Sequence, residues 1–197
     1  MARALILALV SALLAGCWVS QKPLFGSADW VRPPGIAGRY TSENADGEPQ
    51  GSVVLAVRAD GMIDGTVIRK GETEPRTSPA GFIAIPGGSG AYFLMVHRAP
   101  DGASDGKGGE LYLIARARDD GIEASWPGCA GTPDMPGMAR EQAEPIGETM
   151  CAFASKDAVL RAALLAEREL ATKRMFEPQS LGRLRRVEDA GSKVEDD

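Results

Sequence analysis

Val53-Val54-Leu55-Ala56-Val57-Arg58-Ala59-Asp60-Gly61-Met62-Ile63-Asp64-Gly65-Thr66-Val67-Ile68-Arg69 reads as two strands folded about one turn. Val53, Leu55 and Val57 alternate along the first strand, and alternation at period two gives a strand one apolar face. Asp60-Gly61 supplies a turn in which glycine accepts positive φ, and Met62 to Arg69 runs back. A second hairpin follows the same logic. Leu111, Leu113 and Ala115 alternate with Tyr112, Ile114 and Arg116, and Asp120-Gly121 turns the chain into Ile122, Ala124 and Trp126.

Between these hairpins lie two compact apolar runs, Phe82 to Ile85 and Ala91 to His97, separated by Pro86-Gly87-Gly88-Ser89-Gly90. The second run is apolar on both faces, with Tyr92, Leu94 and Val96 on one and Phe93 and Met95 on the other, as in a strand covered on both sides. Arg39 to Ser42 and Thr149 to Ser155 bring the total to about eight candidate strands, all antiparallel by connection length. The expected fold is mainly β, an antiparallel meander forming a curved sheet or small barrel. From Ser155 the period turns helical, with Ser155 as cap, Asp157 in the first turn and no Gly or Pro before Phe176. Val159, Leu160, Ala163, Leu164, Leu170 and Ala171 share one face, interrupted by Glu167, so one C-terminal helix is expected to pack on the sheet.

The chain has 197 residues, 44% hydrophobic and 25% charged, which suits one folded domain and excludes a large multidomain enzyme. Its 22 Lys and Arg against 27 Asp and Glu give a charge of −5 with no basic stripe, so no nucleic-acid partner is expected. At the start, Arg3 precedes an apolar run from Ala4 to Leu14, shorter than the about 20 residues that cross a bilayer. Leu14-Ala15-Gly16-Cys17 then resembles the lipobox of bacterial lipoproteins. The resemblance implies a signal peptide over residues 1–16, cleavage after Gly16, and diacylation of Cys17 with further acylation of the new amino terminus. Two or three such chains hold a protein on a membrane without a spanning helix. Trp18 stands where inner-membrane lipoproteins commonly carry Asp, so the resemblance implies the outer membrane, with the domain on its periplasmic side.

Lipidation of Cys17 leaves Cys129 and Cys151, two thiols in an oxidising compartment, and a disulfide between them is expected. It would staple a loop rich in Pro and Gly and contribute roughly 3 kcal/mol by chain entropy. Their spacing is neither C-x-x-C nor a zinc-ligand pattern. Residues 17–35, with Pro23, Pro33 and Pro34, read as an extended lipidated tether, residues 36–177 as the β domain with its packed helix, and residues 178–197 as a flexible tail.

Catalytic chemistry is sparse. The chain has one histidine, His97, so Ser-His or Cys-His catalysis has a single possible base, and His97 reads as the polar end of a strand. Ser89 precedes a strand instead of joining strand to helix, which is not the nucleophile-elbow context. Asp101, Asp105, Gly106 and Glu110 fall short of a calcium loop, because Ala103 and Tyr112 occupy positions three and twelve. Met135 and Met138 are too few for a copper site. No catalytic, cofactor or metal residue is assigned.

Gly38-Arg39-Tyr40 at the opening of a meander of about eight strands, with a helix after the last, is similar to the lipocalin arrangement, in which Gly-x-Trp begins the barrel. That resemblance implies a barrel with a ligand-binding interior, lined here by residues such as Phe93, Met95 and Tyr112. Two functions are therefore expected. One is a non-catalytic, membrane-anchored envelope or assembly component that binds a protein partner, and the other is a lipocalin-like carrier of a small apolar ligand.

Overall fold

The computed structural model describes residues 18–44, 46–98, 109–143, 148–172 and 179–187. Cys17, the leader before it and the acidic residues 101 and 105 lie outside that set. Eleven strands run in chain order as β1 Trp18–Ser20, β2 Gly38–Glu43, β3 Pro49–Val57, β4 Ile63–Arg69, β5 Arg76–Ala84, β6 Tyr92–Arg98, β7 Glu110–Arg118, β8 Gly121–Trp126, β9 Met138–Ala143, β10 Glu148–Phe153 and β11 Gln179–Arg186. One helix, α1 (Lys156–Thr172), precedes β11.

Eight of these strands close an antiparallel barrel. Consecutive hairpins carry β2 to β8, and β11 pairs with β8 on one edge and β2 on the other, completing the ring. The remaining three strands branch from β7. Along one edge β7 meets β6, while its other edge is shared: Ile114 to Arg118 face β8, and Glu110 to Tyr112 face β1. From β1 the sheet continues to β10 and ends at β9. The expected mainly β barrel with one packed helix is therefore the fold.

Three features depart from the sequence reading. Residues 18–35 are not an extended tether. Trp18 is 0% exposed and Phe25 is buried, because β1 occupies the edge of β7 that β8 vacates, and Val31 bridges to Phe82 beyond the end of β4. Nor is the segment from 179 to 186 a tail. Leu184 faces the barrel interior, while Arg183 meets Asp120, Arg185 meets Glu43 at 3.1 Å, and Arg186 reaches Tyr40 Oη at 2.8 Å. Its arginines each find an acid or hydroxyl on a neighbouring element, which is why so polar a segment can close a barrel. Finally, β1 and β10 are parallel, so the sheet is not wholly antiparallel.

Strand alternation divides the apolar residues into two clusters. Tyr40, Val53, Ile63, Phe82, Ala115 and Ile122 point inward, with Leu55, Val67, Phe93 and Met95 beside them. Ile83, Leu94, Val96, Tyr112 and Ile114 point outward and are covered by β1, β10 and α1. The β6 run is apolar on both faces because lumen and helix lie on opposite sides of it. Ser155 Oγ accepts from Ala158 N at 3.3 Å, so the expected cap forms. The buried face of α1 centres on Ala158, Val159, Ala162, Ala163 and Ala166, small residues that let the helix approach the wall closely, while Leu160, Leu164 and Leu170 lie at its margins.

Candidate functional site

The barrel interior is the candidate site, and its polar atoms are few. His97 follows Phe93 and Met95 on the inward face of β6, and Ser78 lies on the inward face of β5 two residues before Ala80, the partner of His97. His97 Nε2 and Ser78 Oγ are 3.0 Å apart. Burial holds the imidazole below its ordinary pKa of 6.5, so the neutral ring is the favoured form near pH 7. Gly65 pairs with Ser78 across β4 and β5, and a methyl group there would sit 3.6 Å from Leu55 and 3.7 Å from the Ser78 carbonyl. Gly65 thus adds no side chain of its own to the wall, and Leu55 lies in contact range over it. Register also puts Trp126, two residues beyond Ala124, on the inward face of β8. Its Nε1 is buried and has no hydrogen-bond partner among the described residues.

Of the lining residues expected from sequence, Phe93 and Met95 do face the lumen. Tyr112 does not. It lies on the outward face of β7 beside Trp18 and Phe153, and its hydroxyl shares a 2.7 Å hydrogen bond with Ser20 Oγ while donating to Glu110 Oε2 at 2.9 Å. Burial pushes its phenol above the ordinary value. The alternation of Leu111, Leu113 and Ala115 against Tyr112 and Ile114 separated these faces. It could not say which was inside, since both are covered.

Glu110, one of the acids of the failed calcium pattern, has a different task. Its Oε1 accepts from Arg98 Nε at 3.1 Å and Nη2 at 3.0 Å, and its Oε2 accepts from Leu24 N at 2.8 Å as well as from Tyr112. Arg98 also donates to Phe25 O at 2.5 Å and stacks 5.3 Å over Trp30. A fully buried carboxylate with every contact filled is a clamp that holds residues 20–25 on the barrel wall. A second buried acid, Glu167, explains the break in the helical stripe. Its Oε1 accepts from Ser89 N at 2.5 Å, so the Gly-rich turn between β5 and β6 is tied to α1, and Ser89 is a turn residue. Its Oε2 has no partner among the described residues.

The disulfide joins Cys129 and Cys151 with Cα atoms 5.3 Å apart. The segment it closes contains β9, the last strand of the sheet. Arg140 of β9 donates to the carbonyls of Cys129 at 2.7 Å and Thr132 at 2.5 Å. Met135 and Met138 are half-buried against the outer apolar cluster, which is packing and not a thioether pair held open for a metal. Beside β9 and β10 runs an open groove of about 660 Å³ lined by Gln21, Lys22, Met138, Glu141 and Phe153 among others. Among the described residues no three His, Cys, Asp or Glu side chains gather as metal ligands, and no helix is long and apolar enough to cross a membrane. Set against protein-family models, curated proteins and solved structures, the chain matches none of them.

Proposed function

We propose that the protein is a non-catalytic lipoprotein, anchored through acyl chains on Cys17 to the periplasmic side of the outer membrane, whose barrel takes up a small, mostly apolar molecule. The observation that carries this reading is the contrast between the barrel's two faces. The outer seam is closed, with Leu94, Val96, Tyr112 and Ile114 at 0 to 2% exposure. Inside, Tyr40, Val53, Ile63 and Phe82 are buried as well, but Leu55, Val67, Phe93 and Met95 face the lumen and keep part of their surface in solvent. An eight-stranded barrel has an interior that side chains just fill or that one small ligand occupies. Here glycine and alanine at 65, 80, 115 and 124 take up little of it. The unpartnered Trp126 N–H and the neutral Ser78–His97 pair offer a ligand a few hydrogen bonds in apolar surroundings, the usual balance of a binding pocket.

The test is fluorescence titration with N-phenyl-1-naphthylamine, an apolar probe that brightens on leaving water. Leu55→Trp adds bulk to the lumen, whereas Val54→Trp adds it one residue away on the solvent side, where Val54 is 39% exposed. Probe binding is expected to fall at least several-fold in the first and to persist in the second, with both variants folded. Equal binding by the two would refute a lumen site.

A second reading, an envelope assembly component, is favoured by the groove along β9 and β10 and by the outer edge of β9, which no strand among the described residues pairs with. A stoichiometric protein partner that binds the Leu55→Trp variant as tightly as the parent would support it.

A further inference from the structure

We infer that the domain lies directly against the bilayer, with the flank that carries β1 and the β9–β10 hairpin toward the lipid. This rests on the reading of Cys17 as the acylated residue. Successive Cα atoms are about 3.8 Å apart. Trp18, the next residue, is already the first of a strand, at 0% exposure. It pairs with Tyr112 on one side and Cys151 on the other, its Nε1 donates to Thr132 Oγ1 at 2.8 Å, and its ring meets Phe153 edge-on at 5.5 Å. No residue is left to act as a spacer. The acyl chains leave from a point one residue away from the packed core, so the headgroups meet the domain surface itself.

The direction follows from strand polarity. β1 is antiparallel to β7 and parallel to β10, so its amino-terminal end points where β7 ends and β10 begins. β10 begins at Glu148, three residues before the Cys151 that pairs with Trp18. At about 3.3 Å per residue, the hairpin runs roughly 10 Å past Trp18 on the side from which the lipid anchor enters. Gln142, opposite Thr149 on β9, is exposed there. Thr73, in the turn between β4 and β5, is exposed at the other end of the barrel.

The full lipidated protein, purified from membranes and reconstituted into vesicles of phosphatidylethanolamine and phosphatidylglycerol with nitroxide-bearing headgroups, tests this. Gln142→Cys and Thr73→Cys each offer one free thiol for a fluorophore, because Cys17 is acylated and Cys129 and Cys151 are bridged. The label at 142 is expected to be quenched several-fold more than the label at 73, and a Gly-Ser spacer inserted between Cys17 and Trp18 to remove the difference. Equal quenching at both sites in protein whose mass includes the acyl chains would overturn the contact while leaving the anchor in place. A mass lacking acyl chains would overturn both.

Discussion

The outer seam and the lumen share the same strands but meet their polar atoms differently, although on the outer side Glu167 Oε2 also lacks a partner among the described residues. On the seam, every polar group of the Ser20, Arg98, Glu110 and Tyr112 cluster has a defined partner, and the apolar residues around it are sealed from water. In the lumen, an indole N–H lacks a partner among the described residues, a neutral imidazole meets one hydroxyl, and several large apolar side chains keep contact with solvent. Satisfied polar networks and full burial are what stability requires. Incomplete filling next to unused donors is what a binding cavity requires. The difference is one of degree: Tyr40, Val53, Ile63 and Phe82 seal part of the lumen, while Leu55, Val67, Phe93 and Met95 leave the rest half-buried.

That contrast predicts a ranking of mutational effects. The largest should come from Glu110→Ala, which strands the Arg98 guanidinium, the Tyr112 hydroxyl and the Leu24 N–H together and should cost about 4 kcal/mol in chemical denaturation. Next is a neighbouring pair on β6. Leu94→Ala, on the sealed face, should cost about 3 kcal/mol or more, whereas Met95→Ala, on the lumen face, should cost under about 2 kcal/mol. Equal losses for the pair would erase the distinction between the two faces. Replacing Cys129 and Cys151 with alanine should lower stability by roughly 3 kcal/mol, with probe binding in the lumen retained, because the bridge fastens the β9–β10 extension outside the barrel.

The smallest effect is a pH dependence originating in the lumen. The His97 imidazole titrates below its ordinary 6.5 in the folded chain, so below that pH the unfolded chain binds the proton first. Its contribution is whole above about pH 6.5 and declines as the pH falls toward the folded value. His97→Gln should flatten stability across that acidic window and leave it unchanged at pH 8, as followed by thermal unfolding.

Much of the barrel was legible because its hairpins carry period-two alternation and Asp-Gly turns, as from Val53 to Arg69 and from Leu111 to Trp126. Three elements were not. β1 has three residues, too few for any period, and lies among prolines that suggested a tether. β11 alternates Arg183, Leu184, Arg185, and nothing local distinguishes that from a charged tail, because its acidic and hydroxyl partners lie more than sixty residues away in sequence. The Ser78–His97 pair joins two strands at positions no local motif connects. The disulfide was legible for the opposite reason: once Cys17 was set aside, only two cysteines remained.

The central claim, that the barrel holds a small apolar molecule, is tested most directly by native mass spectrometry of the protein gently extracted from its own membrane, with Leu55→Trp measured beside it. The expected result is a stoichiometric small-molecule adduct beyond the Cys17 acyl mass, lost in Leu55→Trp. An acylated chain with no adduct that also fails to bind the apolar probe would contradict it.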